Sequence, residues 1–169
     1  MTKLAFLGLG VMGAPMAGHL QGAGHDMTVF NRTEAKAKAW ADKYKSTSAA
    51  TPREAAQCAE FVMACVGNDD DLRSVCLGPD GAFAGMAQGS VFVDHTTVSA
   101  KVTAEMYAAA ADAGIAFIDA PISGGQAGAE NAVLSIMCGA DEAAFDSALP
   151  IIEVYSKICR RIGASGAGQ

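Results

Sequence analysis

The stretch Lys3-Leu4-Ala5-Phe6-Leu7-Gly8-Leu9-Gly10-Val11-Met12-Gly13 decides the fold, with Ala14-Pro15-Met16-Ala17-Gly18-His19-Leu20 behind it. Its opening is a short apolar run, and continuous apolar character marks a parallel strand covered on both faces. Glycines follow at 8, 10 and 13, and apolar residues then return at helical period. Gly8 permits a tight turn, Gly10 removes a Cβ that would hold a diphosphate off the backbone, and Gly13 lets the next helix lie close on the strand. That helix starts with unpaired N–H groups and a partial positive charge, which together suit a bridging diphosphate. A Gly-x-Gly-x-x-Gly turn alone is weak evidence. Here it has a strand before it and a helix after it, the context a dinucleotide loop requires. Gly8, Leu9, Gly10, Val11, Met12 and Gly13 are therefore the candidate cofactor loop.

Outward from this unit the pattern keeps alternating. Gly22-Ala23-Gly24 stops the helix, Met27-Thr28-Val29-Phe30 reads as a second strand, and residues 34–44 as a helix. Thr51-Pro52-Arg53-Glu54 is a capping box with proline at the first helical position. Phe61-Val62-Met63-Ala64-Cys65-Val66 reads as a strand, and residues 68–76 as a helix capped by Asn68 or Asp69. A loop with a helical turn over 78–89 leads to a strand at 90–94, and a helix capped by Ser99 runs to Asp112. Strands at 115–119 and 133–138, a helix over 141–154 and a strand at 157–162 complete the series. Strand-helix alternation over the whole length predicts a doubly wound α/β sheet of Rossmann type, mostly parallel, in one domain over residues 1–163. Residues 164–169 read as a frayed tail or as the start of a connection.

Composition bounds the function. The chain has 169 residues, enough for one full core, and no apolar run long enough to span a bilayer. No basic-then-apolar leader precedes the first strand, so a cytoplasmic location is expected. Net charge is −6 without a basic cluster, which argues against nucleic acid and membrane surfaces as partners. Cys58, Cys65, Cys76, Cys138 and Cys159 form no C-x-x-C pair and read as reduced, buried thiols. The three histidines share no spacing that would hold a metal, and His95 reads as a polar loop residue.

At the tip of the second strand, an acidic residue would accept the adenine ribose hydroxyls and select NAD. Asn31 stands there instead, followed by Arg32 and the hydroxyl of Thr33, which removes repulsion and supplies a cation for a 2′-phosphate. This predicts NADP in preference to NAD. Three further strand ends should line the site: Val66-Gly67-Asn68, Asp94-His95-Thr96-Thr97 and Asp119-Ala120-Pro121-Ile122-Ser123-Gly124-Gly125. In the last, Ser123 offers a hydroxyl, while Gly124 and Gly125 offer backbone N–H groups for a carboxylate.

Gly8 to Gly13, Pro15-Met16-Ala17, Asn31-Arg32-Thr33, Asp94-x-Thr-Thr, Asp119-Ala-Pro-Ile-Ser-Gly-Gly and the run 134–139 stand in one familiar order and spacing. The chain resembles the β-hydroxyacid dehydrogenases, the group of 3-hydroxyisobutyrate dehydrogenase and tartronate semialdehyde reductase. The resemblance implies hydride transfer between NADP(H) and a short β-hydroxy acid or semialdehyde acid, in a two-domain protein whose all-helical C-terminal domain completes the site and a homo-oligomer. It places cofactor contacts also on Val66, Gly67 and Thr97, and a small carboxylate-bearing substrate on Ser123, Gly124 and Gly125. It also places the catalytic lysine in a Gly-x-Gly-x-x-x-Lys stretch. The chain has Gly166-Ala167-Gly168-Gln169, so that lysine position falls past Gln169 and no catalytic residue is assigned within the chain, which is expected to bind cofactor and turn over little alone. Imine reductases resemble the same domain but replace the lysine, and a stand-alone NADP-binding module is the remaining alternative.

Overall fold

The structure, a computed structural model, describes residues 1–169 and is built on a nine-stranded sheet. Strand β1 (Lys3–Leu7) leads through the glycine turn into helix α1 (Gly13–Gly22), then β2 (Asp26–Phe30) and α2 (Glu34–Tyr44). A short β3 (Thr47–Ser48) precedes α3 (Pro52–Ala56), β4 (Phe61–Ala64), α4 (Asp69–Cys76) and β5 (Val91–Asp94). Helix α5 (Ala100–Asp112), β6 (Ala116–Asp119), β7 (Ile122–Ser123) and α6 (Gly125–Glu130) follow, then β8 (Leu134–Gly139), α7 (Glu142–Ile152) and β9 (Ser156–Gly163).

The strands run in the order β3-β2-β1-β4-β5-β6-β8-β7, with β9 beside β8. Pairings from β3 through β6 are parallel, as is β8 with β9, while β8 meets β6 and β7 antiparallel. The sheet is thus mostly parallel, as the alternation requires. Connections leave β1 in opposite directions, towards β2 on one side and β4 on the other, which opens a crevice at the carboxyl end of β1.

The central strands are apolar on both faces because both faces are covered. Leu4 and Phe6 of β1 join a cluster with Met16 and Leu20 of α1, Trp40 of α2 and Ile152 of α7. Ala5 and Leu7 of the same strand point the other way, into a cluster with Leu72 of α4 and Val102 and Met106 of α5. Phe6, Leu7, Met16 and Leu20 are fully buried, and each such side chain contributes about 1.5–3 kcal/mol relative to exposure. The expected caps are present: the backbone N–H groups of Glu54, Asp71 and Val102 donate to the side chains of Thr51, Asn68 and Ser99. No helix is long and apolar enough to cross a membrane.

Three elements depart from the sequence pattern. Strands β3 and β7 are two residues each, too short to carry a period, and α6 contains two glycines and reads as loop. The stretch 121–125, expected as a loop leaving a strand, therefore includes strand β7 and the start of a helix. Residues 164–169 lie against the sheet. The backbone N–H groups of Gly166, Gly168 and Gln169 all donate to the buried Asp119 carboxylate, at 2.6, 2.8 and 3.2 Å. Successive N–H groups converging on one anion form a nest. His95 is also no loop-surface residue: it is buried, its ring between the Ala120 carbonyl and the Tyr155 hydroxyl, each at 2.8 Å. Among the thiols, Cys58 is exposed, and Cys138 and Cys159 place their sulfurs 3.6 Å apart across β8 and β9.

Candidate functional site: a cleft at the carboxyl end of β1

The crevice is a cleft of about 360 Å³ lined by the glycine turn, the end of β2, the start of α2, the end of β4 and one face of α4. The three glycines of the turn have different reasons for being glycine. Gly8 has φ +96°, a left-handed conformation that side chains rarely adopt, and a Cβ there would overlap the Cys65 carbonyl. A Cβ on Gly13 would overlap the carbonyl of Gly8 and meet Phe6 at 3.0 Å, so this glycine sets how closely α1 packs on β1. A Cβ on Gly10 would meet nothing within 4 Å. The protein itself has no packing use for the missing side chain at Gly10, and the space it leaves opens on the cleft.

Helix α1 begins beside Gly10 with no side-chain cap and no acidic residue in its first turn. The Ala14 and Met16 N–H groups donate to the Gly10 and Met12 carbonyls and Pro15 has no N–H, so the N–H groups of Val11, Met12 and Gly13, with the positive end of the dipole, are what this end of the helix leaves for the cleft. Asn31 is committed elsewhere. Its Oδ1 accepts from the Leu9 N–H at 2.9 Å, and its Nδ2 donates to the Thr33 carbonyl at 3.1 Å. The residue therefore pins the glycine turn to the tip of β2. Leu9 is buried and shares in this tie without lining the cleft.

Gly8, Gly10, Val11, Met12, Gly13, Asn31, Arg32, Thr33, Val66 and Gly67 line the cleft together, at the positions where the sequence places a cofactor. Lys36, Asp71 and Ser74 line it as well and escaped the sequence reading. Lys36 lies in the first turn of α2, its N–H donating to the carbonyl of the N-cap residue Thr33 at 3.0 Å, which keeps it beside that residue. Asp71 and Ser74 reach the cleft only because β4 pairs with β1, a long-range contact that local pattern does not encode. Cys65 lies at the floor, its thiol pushed up to about 12, chiefly by burial and further by the nearby Asp94, and so neutral at ordinary pH.

Thr97 and Ser123-Gly124-Gly125 stand outside this cleft, at the ends of other strands, and all four are exposed. Around the ends of β5 and β6 the polar groups are mostly turned inward. Asp94 is fully buried, and its Oδ1 accepts from the Thr96 N–H at 2.9 Å, while its Oδ2 has no partner. Burial raises its pKa from 3.8 to about 7, with the Asp119 charge adding to the rise. Thr96 uses its hydroxyl to hold the Val66 N–H at 3.1 Å, which fixes the exit of β4 into the cleft. Because the Ala120 carbonyl can only accept, the His95 Nδ1 carries the proton and Nε2 accepts from Tyr155. Burial lowers the His95 pKa to about 4. That ring is neutral and enclosed, a structural strut rather than a base poised for substrate.

Residues 3–163 match the family described as the NAD binding domain of 6-phosphogluconate dehydrogenase. An uncharacterized oxidoreductase of Shewanella frigidimarina is 55% identical over 169 residues, covering 100% of this chain and 58% of its own length. A probable 3-hydroxyisobutyrate dehydrogenase-like protein of Arabidopsis thaliana is 41% identical, with 99% of this chain and 50% of that protein covered. Among solved structures, the 3-hydroxyisobutyrate dehydrogenase of Mycobacterium tuberculosis with L-serine superposes with a TM-score of 0.93 at 34% identity, over 99% of this chain and 56% of that one. The chain thus spans between half and three-fifths of the length of these relatives. From the cleft, the topology and these matches together, the chain belongs to the family of the NAD binding domain of 6-phosphogluconate dehydrogenase, as an NAD(P)-binding domain of 3-hydroxyisobutyrate dehydrogenase-like oxidoreductases.

Proposed function

We propose that the cleft binds NADP(H) and that the chain is the cofactor-binding part of an oxidoreductase for a short β-hydroxy acid or the matching semialdehyde acid. The observation that carries the cofactor half is the open space at Gly10 beside the uncapped start of α1. A diphosphate fits both: it fills a space no protein atom uses, and it takes the N–H groups no side chain caps. When bound, the nicotinamide supplies or accepts the hydride. The chain's own residues hold and orient it. Amide groups of the glycine turn and the start of α1 balance the diphosphate charge, Thr33, Arg32 and Lys36 present a hydroxyl and two cations to a 2′-phosphate, and Val66, Gly67 and Thr97 make the further cofactor contacts along the strand ends.

For the substrate, Ser123 with the N–H groups of Gly124 and Gly125 takes a carboxylate. The L-serine in the Mycobacterium tuberculosis structure, itself a β-hydroxy acid, supports that class. On this reading the proton donor for the carbonyl is a lysine from a part of the protein that also builds a homo-oligomer, outside these 169 residues. The compartment is a reducing one such as the cytoplasm, in keeping with five free thiols.

The test is a parallel titration of the chain and of Arg32→Ala with NADPH and NADH. The expected result is tighter NADPH binding by the wild type, and a loss on the order of tenfold for NADPH in the variant, with NADH changed less than about twofold. Equal losses for both cofactors would show that Arg32 does not read the 2′-phosphate.

A further inference from the structure

We propose that Asp71 sets the discrimination between NADPH and NADH by competing with the 2′-phosphate for Arg32. The proposal rests on the reading that the 2′-phosphate is taken by Arg32. Arg32 follows β2 and Asp71 lies in the first turn of α4, on the opposite wall of the cleft, and both line it. Arg32 Nη1 and Asp71 Oδ1 are 2.7 Å apart, so the pair bridges the two walls. The Arg32 side chain is 85% exposed and the Asp71 side chain only 24%, so the cation is free to swing while the carboxylate stays in place.

Asp71 is turned towards the cleft floor as well. Its Oδ2 lies 2.6 Å from where a side chain on Gly67 would begin. The other acids of the same turn are occupied elsewhere: Asp69 accepts from the Ser99 N–H and hydroxyl, and Asp70 pairs with Arg73. Asp71 alone of the three carries its charge into the cleft.

A phosphomonoester carries roughly 1.5 to 2 negative charges near neutral pH, and the same charge count applies to a 2′-phosphate. Such a group draws Arg32 away from Asp71, and it then stands near a carboxylate whose partner it has taken. NADH has neither demand. Asp71 therefore weakens NADPH and leaves NADH nearly untouched, and it tunes selectivity without contacting the reacting carbon. An exposed ion pair of this kind adds little to folding, so its effect belongs to binding.

The experiment is calorimetric titration of wild type, Asp71→Asn, Arg32→Ala and the double variant with NADP+ and with NAD+, at one low ionic strength. Asp71→Asn should tighten NADP+ by about fivefold to tenfold and NAD+ by less than about twofold. In the Arg32→Ala background, the gain for NADP+ should shrink, because the competed cation is gone. An equal gain for both cofactors would reduce Asp71 to a general negative charge and overturn the proposal, as would no gain for either. If wild type shows no preference for NADP+ and Arg32→Ala changes nothing, or if no variant binds either cofactor, the underlying reading has failed. A preference lost in Arg32→Ala, with Asp71→Asn inert, would sink this proposal alone. A melting temperature within a few degrees of wild type for Asp71→Asn confirms that the change acts on binding.

Discussion

Two regions of the molecule occupy equivalent places, the carboxyl ends of parallel strands, and treat their polar groups in opposite ways. At the ends of β1, β2 and β4 the amides of Val11, Met12 and Gly13, with Arg32, Thr33 and Lys36, face an open cleft. At the ends of β5 and β6, Asp94, His95, Thr96 and Asp119 are buried and answered almost wholly by the protein's own backbone and side chains. The same topology thus yields a region that waits for a ligand and a region that satisfies itself. Substitutions in the first should cost binding and spare stability, and substitutions in the second should do the reverse.

The largest expected effect concerns pH in the self-satisfied region. Asp94 has its pKa raised from 3.8 to about 7, so between those values the folded state holds a proton that the unfolded state has lost, and stability falls as pH rises. His95 has its pKa lowered from 6.5 to about 4, so there the unfolded state holds the extra proton and stability rises with pH. The two oppose each other from pH 4 to 6.5, and their contributions nearly cancel there in the wild type. Asp94→Asn removes one of them, and its stability should climb over that window by about 3 kcal/mol in urea titrations, since one pKa unit is about 1.4 kcal/mol. A variant whose pH dependence matches that of wild type would show that these groups are not held as the structure has them.

Asp119→Ala should come next. It leaves the N–H groups of Gly166, Gly168 and Gln169 without their acceptor, a loss of about 2–3 kcal/mol. Limited proteolysis should then cut near residues 164–169 in the variant and spare the wild type. In the open region, Gly10→Ala should weaken cofactor binding by tenfold or more, about 1.4 kcal/mol, and leave the unfolding midpoint unchanged, because its Cβ meets nothing. Gly13→Ala, three residues on, is the counter-case: overlap with Gly8 should destabilise the fold itself, by about 1–3 kcal/mol. The smallest effect is that of Tyr155→Phe, which leaves the His95 Nε2 without its donor. Loss of that hydrogen bond should cost about 1 kcal/mol of stability and no cofactor affinity.

The open region was largely legible in the sequence and the closed one was not. Glycine spacing at 8, 10 and 13 and the apolar run before it report local backbone geometry, and local geometry is what sequence pattern encodes. Asn31-Arg32-Thr33 lie at the cleft, but Asn31's tie to the Leu9 N–H is invisible in the sequence, because it joins residues 22 apart. Asp71 was hidden for the same reason, being brought to Arg32 by the pairing of β1 with both β2 and β4. His95 read as a surface polar residue since nothing near it in sequence announces Tyr155, sixty positions later. The tail reads as a frayed end or the start of a connection because Gly-Ala-Ser-Gly-Ala-Gly has no apolar face, and its anchor is the carboxylate of Asp119.

The most direct test of the whole account is a calorimetric titration of wild type and Gly10→Ala with NADPH, with thermal unfolding measured on the same samples. The expected result is saturable binding by wild type, a tenfold or greater loss in Gly10→Ala, and matching unfolding midpoints without ligand. Equal affinity in the two proteins, or no binding by wild type, would contradict it and leave the glycine turn a turn without a ligand.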